Sequence, residues 1–264
     1  GNKSFIKNNF KAYIDFNKSV GTMKYNGQQT NMMVKPHKQN ISETFQMSHT
    51  TANGNVYNVE SYWIYSDLPG QLLTIGGMSE HLNLGFFSTQ NEFRYNLKIG
   101  RQYLNNEFGF AYDRQGIGVI LGNAEEQTSV YKFLRTYWTP SMSFLWGKHK
   151  VDVKSMISYA KQSYHASKSN HLWIEPLINW NWKATVVSEF SANIGYKHTP
   201  LMGISIYDTP IFTNYRTQRT NRGETDATRS FYASAAYKYS SPVLGLFLNI
   251  RPLYIGEHSL RKYF

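Results

Sequence analysis

The run Phe93-Arg94-Tyr95-Asn96-Leu97-Lys98-Ile99 carries its apolar and aromatic residues at odd positions and its polar residues at even ones. Successive side chains of a β-strand point to opposite faces, so this run has one apolar face and one wetted face. The same period returns on either side of it. Phe10, Ala12, Ile14 and Phe16 alternate with polar neighbours, as do Tyr57, Val59, Trp63 and Tyr65. Further along come Val151 to Tyr159, Ala184 to Tyr196, Phe231 to Tyr239 and Leu244 to Ile250. Helical stripes are hard to find. Thr, Val, Tyr, Phe and Trp, which suit a pleated, half-buried surface, recur throughout. The chain reads as all-β.

Connections alternate in length. Asn53-Gly54, Asn105-Asn106, Gly147-Lys148, Ser240-Ser241-Pro242 and the region around Lys183-Ala184 have tight-turn chemistry. Longer polar stretches lie between them, at about residues 18–39, 113–129, 161–171 and 199–229. Short turns at one end and long loops at the other mark an outer-membrane meander. The strands also run long. Phe133 to Trp146 is strand-like apart from Thr139-Pro140, and Val186 to Lys197 alternates throughout. A membrane-crossing strand needs ~9–11 residues, against ~5–6 for a typical globular strand. Trp63, Tyr65, Tyr137, Trp138, Trp173, Trp180, Trp182, Tyr237 and Tyr239 fall towards strand ends, where rings with a polar edge suit a headgroup boundary. Alternation alone fits a soluble β-sandwich equally well. Strand length, loop asymmetry and the aromatics favour an antiparallel meander of about ten to twelve long strands, part or all of a transmembrane outer-membrane β-barrel. Its polar face, with Asp15, Glu60, Lys98, Asp152, Lys154, Glu189, Asn193 and Lys197, is expected to line the lumen.

Composition narrows the function classes. The chain has 264 residues, 16% of them aromatic, and a net charge of +11 from 28 Lys+Arg against 17 Asp+Glu. That aromatic content excludes disorder. Mean hydropathy is −0.49, and no apolar run reaches the ~18 residues of a spanning helix. With no cysteine, a disulfide framework, a Cys-bound zinc and a thiol nucleophile are all excluded. Gly116-Ile117-Gly118 and Gly76-Gly77 lack phosphate-loop spacing, no G-x-S-x-G elbow occurs, and His49, His81, His149 and His171 are scattered. No catalytic residue, metal ligand or cofactor is therefore predicted. The aromatics follow strand period rather than interleaving with a basic cluster, so no nucleic-acid partner is expected.

Several segments resemble the barrel of TonB-dependent outer-membrane receptors of the kind abundant in Bacteroidetes. They are Thr139-Pro140-Ser141-Met142-Ser143-Phe144, Trp173-Ile174-Glu175-Pro176-Leu177-Ile178-Asn179-Trp180, Phe190 to Tyr196, Ile206-Tyr207-Asp208, Thr213-Asn214-Tyr215-Arg216, and Thr228 to Tyr237. The resemblance covers most of the chain and is one of sequence style rather than of a fixed motif. It implies a barrel of about 22 strands with a plugged lumen. On that scale residues 1–264 form a single wall domain, roughly half a barrel, with no plug domain or signal peptide in the sequence. It also implies import of a nutrient ligand, contact with the TonB complex through other parts of the protein, and outer-membrane lipid and lipopolysaccharide as surroundings. The alternative is an independent smaller barrel or cell-surface β-protein with a structural or adhesive role. The longest connection, residues 199–229, carries the expected ligand contacts: Tyr207, Asp208, Tyr215, Arg216, Arg219 and Arg222.

Overall fold

The computed structural model describes residues 2–15, 19–25, 28–34, 38–75, 78–100, 102–164, 167–200, 207–214, 217–221 and 227–258. Strand follows strand: β1 (Lys3–Asp15), β2 (Ser19–Tyr25), β3 (Gln28–Val34), β4 (Lys38–Thr50), β5 (Val56–Ile75), β6 (Met78–Ile99), β7 (Gln102–Leu121) and β8 (Gln127–Trp146). Then come β9 (His149–Tyr164), β10 (Ser167–Lys183), β11 (Ser188–Pro200), β12 (Tyr207–Asn214), β13 (Thr217–Asn221), β14 (Ala227–Ser241), β15 (Leu246–Ile250) and β16 (Leu253–His258). One antiparallel sheet runs in the order β1-β4-β5-β6-β7-β8-β9-β10-β11-β14-β15, a meander of the expected ten to twelve strand positions. The β15 and β16 segments pair with successive parts of β14 and share one position, interrupted at Arg251-Pro252. The β2–β3 pair joins the sheet through β5, and β12–β13 form a separate ribbon.

Turn chemistry explains one end of the sheet. Trp146 pairs with His149 across Gly147-Lys148, with Gly147 at φ 56°, a conformation that favours glycine. Thr51 and Asn55 close the Asn53-Gly54 turn through a 2.9 Å hydrogen bond from the Thr51 N–H. Asn105-Asn106 is not a turn. It lies inside β7, and the reversal occurs at Gly100, because Ile99 pairs with Gln102. At the other end the long polar stretches are largely strand. Asp113 to Ser129 continues the β7–β8 ladder up to Val119–Gln127, and only residues 122–126 connect the two. The stretch 161–171 likewise continues the β9–β10 ladder up to Tyr164–Ser167. Backbone pairing needs no apolar face, so these strands extend beyond the band that lipid would cover.

Register assigns the faces, because directly opposed residues share one. Ser129, Tyr131, Phe133, Tyr137 and Thr139 of β8 are buried, whereas Lys132, Thr136 and Trp138 are exposed. The buried set defines the inner face. It holds Ser158, Ala160 and Gln162 of β9, and Trp173 and Glu175 of β10. Two tyrosine rings lie flat over opposed glycines there. A Cβ on Gly109 would stand 2.0 Å from the Tyr137 ring, and one on Gly195 would stand 2.4 Å from Tyr232. The outer face keeps its apolar residues exposed, among them Leu172 at 70%, Ile174 at 53% and Ile194 at 45%. Among the described residues no second sheet covers them.

Near the short turns the outer face carries an aromatic belt. Trp146, His149, Trp182, Phe190 and Tyr237 are opposed in turn across five strands. Their rings stack or tilt at 4.6–5.9 Å. Across β4, β5 and β6 the belt continues as His49, Tyr57 and Tyr95. Above it on β10 the outer positions are Trp180, Ile178, Pro176, Ile174 and Leu172, ending at Asn170. From Trp182 to Leu172 this is about 10 steps of ~3.4 Å at a tilt of ~40°, or ~26 Å of height, the thickness of a barrel's apolar band.

Candidate functional site on the inner face

The inner face is polar in three tiers. Lowest is a cluster around Arg94. This guanidinium pairs with Glu92, with Glu107 at 3.3 Å and with Glu60 at 3.6 Å. Glu92 also accepts a 2.8 Å bond from the Tyr137 hydroxyl, and Glu60 accepts one of 3.0 Å from the Gln46 amide. Three strands, β5 to β7, thus meet on one cation, β8 joins through Tyr137, and the excess carboxylate leaves the tier acidic. Beside it Lys150 pairs with Asp152 at 3.0 Å.

The middle tier closes a gap in the sheet. The β10–β11 ladder runs only to Leu177–Gly195. Next along β10 is Pro176, which has no N–H to donate, so the ladder stops there. Glu175 bridges the gap. One carboxylate oxygen accepts the His198 backbone N–H at 2.5 Å, and the other accepts from Arg135 at 2.5 Å. Arg135 donates through Nε to Ser158 at 3.0 Å and packs over the Trp173 ring at 5.2 Å. Trp173 stacks on His198 at 5.3 Å, on His171 at 5.8 Å and on Phe133 at 6.2 Å. Sequence reading treated Trp173 as a belt residue and His171 as scattered. Both serve this inner knot, because the odd positions of β10 face inward; Tyr137, also expected in the belt, is buried on the inner face because the odd positions of β8 face inward too.

The upper tier holds a cavity of about 250 Å³ lined by Gln90, Asp113, Gln115, Tyr131, Phe133 and Pro200, among others. The Tyr131 hydroxyl is buried beside it without a partner among the described residues. One strand over, opposite Phe133, Gln162 is 0% exposed, and both ends of its amide are unpaired. Buried polar groups are nearly always bonded, so the tier presents donors and an acceptor suited to a polar partner. Among the described residues no group of three His, Asp or Glu side chains is placed to hold a metal.

The expected ligand residues divide. Tyr207 and Asp208 lie on β12 and Arg219 on β13, where Tyr207 opposes Asn221 and Ile211 opposes Arg219. Tyr215, Arg216 and Arg222 lie outside the described residues. The β12 backbone approaches β7 and β8, three and four places along the sheet from β11. Pro200, the last residue of β11, lines the inner cavity. The inner residues Arg135, Glu175 and Gln162 were missed as a site because their partners lie tens of positions away in sequence.

No protein-family model and no curated protein matches the chain. Solved structures do. The ferric yersiniabactin uptake receptor FyuA of Yersinia pestis aligns over 96% of the chain with a TM-score of 0.66 at 12% identity. The ferric citrate transporter FecA, unliganded, aligns over 96% at 0.59 and 8% identity. The alcaligin outer-membrane receptor FauA of Bordetella pertussis aligns over 97% at 0.58 and 9% identity. The fold is that of an outer-membrane β-barrel wall. The chain spans 41–43% of the length of these receptors. The expected location in the outer membrane agrees with the fold and with the apolar band and belt of the outer face.

Proposed function

We propose that the chain is a large part of the barrel wall of a TonB-dependent receptor, of the kind abundant in Bacteroidetes, that imports a nutrient ligand and catalyses no reaction. The carrying observation is the path of the chain after β11. Pro200, at the end of β11, lines the inner cavity, and the β12 backbone lies near β7 and β8, the strands that supply most of that cavity's other walls. A ligand descending from the loop end meets this hairpin first, then the cavity at Tyr131, then the acidic tier. Tyr207, Asp208, Tyr215, Arg216, Arg219 and Arg222 are the proposed first contacts. Tyr offers broad area at low entropic cost, and Arg offers bidentate bonds to anionic or sugar-like groups. TonB contact belongs to other parts of the full-length receptor, and lipid with lipopolysaccharide surrounds the wall.

The test is deletion of Asp208 to Gly223 in the full-length protein. TonB-dependent growth on the imported nutrient should be lost, while outer-membrane assembly and heat-modifiable migration stay intact. Retained growth would place ligand capture elsewhere.

A further inference from the structure

Register brings four cations together on the outer face at the loop end. Arg114 opposes Lys132, Lys132 opposes Ser163, and Ser163 opposes Lys168, so these residues form one row across β7 to β10. Lys161 lies two positions lower on the same face of β9, opposed by Leu134 and Asn170. All four cationic side chains are exposed, and none has an ion-pair partner among the described residues. The sorting of charge is complete on these strands. Upward from Leu104, Trp146, His149 and Trp182, the outer positions of β7 to β10 hold no Asp or Glu, and the first Lys or Arg met are these four. Carboxylates of the same strands, Glu107, Asp113, Asp152 and Glu175, all have inward parity.

Height decides what the row meets. Lys132 is fourteen residues above Trp146, and Lys168 is fourteen above Trp182. At ~3.4 Å per residue and ~40° of tilt that is ~36 Å, past an apolar band ~25 Å tall and inside a bilayer of ~40–45 Å with its headgroups. Neighbouring strands are ~4.8 Å apart, so the four charges fall within a patch roughly 15 Å wide. Directly beneath lie Leu134, Tyr159 and Leu172, an apolar surface for acyl chains and for the lysine stems. Long loops mark the outside of the cell, so this row belongs to the outer leaflet.

We propose that Arg114, Lys132, Lys161 and Lys168 form a docking site for the phosphate groups of a phosphorylated glycolipid of the outer leaflet, with the lipid's acyl chains lying on Leu134, Tyr159 and Leu172. The proposal rests on the transmembrane reading of the wall. Guanidinium and ammonium groups bond phosphate oxygens strongly; the Glu126 carboxylate on the same face lies over Gly118, four positions beyond Arg114, where it accepts from the Asn83 amide at 3.2 Å and not from the four cations.

The experiment uses the full-length protein in detergent, titrated with purified lipid A bearing two phosphates, one or none, and followed by native mass spectrometry. Wild type should hold diphosphorylated lipid A and lose affinity stepwise as phosphates are removed. The R114Q/K132Q/K161Q/K168Q variant should bind it at least ~100-fold more weakly, since each basic residue at a membrane surface contributes roughly fivefold. The K3Q/K7Q/K11Q/K98Q variant changes net charge equally on the inner face and should bind as wild type does. Equal binding of phosphorylated and phosphate-free lipid A by wild type would overturn the site even if the quadruple variant failed to assemble. Equal losses in both variants would also overturn it, by reducing the effect to net charge. Heat-modifiable migration of wild type, read in parallel, tests the underlying wall reading separately: a barrel that ignores phosphate sinks only the docking site.

Discussion

Adjacent residues on β10 have opposite surroundings. Ile178 is 43% exposed on the outer face, whereas Asn179 points inward opposite Asp152 and Asn193. In a membrane wall a lysine at the first position meets hydrocarbon, and at the second it meets water and a carboxylate. Ile178→Lys is expected to cost about 2 kcal/mol, near the lower end of midplane values, and Asn179→Lys less than about 0.5 kcal/mol. Urea unfolding of the full-length protein in lipid vesicles reads both; equal costs would mean that lipid does not cover the outer face. Gly109 makes a different demand. Its missing Cβ is the space in which the Tyr137 ring lies, and the Tyr137 hydroxyl reaches Glu92 from there. Gly109→Ala should therefore destabilise by about 1–3 kcal/mol, the cost of overpacking. In a Tyr137→Ala background the same change should cost little, and a double-mutant cycle measures the difference.

At the scale of elements, a proline has set a structural requirement that a neighbour meets. Pro176 ends the β10–β11 ladder, and the preceding Glu175 reaches across to the His198 N–H while holding Arg135. The pair is nearly covered, with side chains 8% and 14% exposed. Removing one partner leaves the other charge buried, so Glu175→Ala should cost about 3–5 kcal/mol. The double variant with Arg135→Met should recover part of that loss. Hydrogen exchange should show the defect first in Tyr196 to Pro200, the part of β11 with no ladder to β10; uniform protection along β11 would contradict the bridging role. These elements also show what could be read from sequence and what could not. Strand identity and face were legible wherever one face is apolar, as in Phe93 to Ile99 and in β10 from Leu172 to Trp182. Strand ends were not, because above the band the outer face turns polar, at Arg114, Lys161 and Ser163, while the side chains that pack there, Ile117, Val119 and Tyr164, do so on the inner face against other strands. Asn105-Asn106 has turn chemistry but lies in β7, where register with β6 and β8 overrides local preference. Glu175, Arg135 and Gln162 gave no local signal, since their meaning comes from partners on other strands.

At the scale of the whole molecule, the described residues form an open wall. Among the described residues β1 pairs only with β4, and β15 and β16 only with β14. Both margins are apolar and exposed: Ile6, Phe10 and Ile14 on one side, Phe247, Leu248 and Leu253 on the other. Unpaired strand edges carry rows of free N–H and C=O groups, which hydrocarbon cannot satisfy. In the receptor barrel proposed above, further strands would satisfy them. The isolated 264-residue chain must find them in another copy, so in detergent it should sediment as a dimer or larger species. Single cysteines at Phe10 and Leu248, both on the outer face and introduced into a chain that has none, should then cross-link between copies. In the full-length protein neither cysteine should cross-link between molecules, because both edges are paired within the barrel. Proline substitutions at Lys7 and Lys11 on the β1 edge should weaken association of the isolated chain without altering its belt or its inner tiers. A monodisperse monomer in plain buffer would overturn this account, since it would require the exposed band to be stable in water.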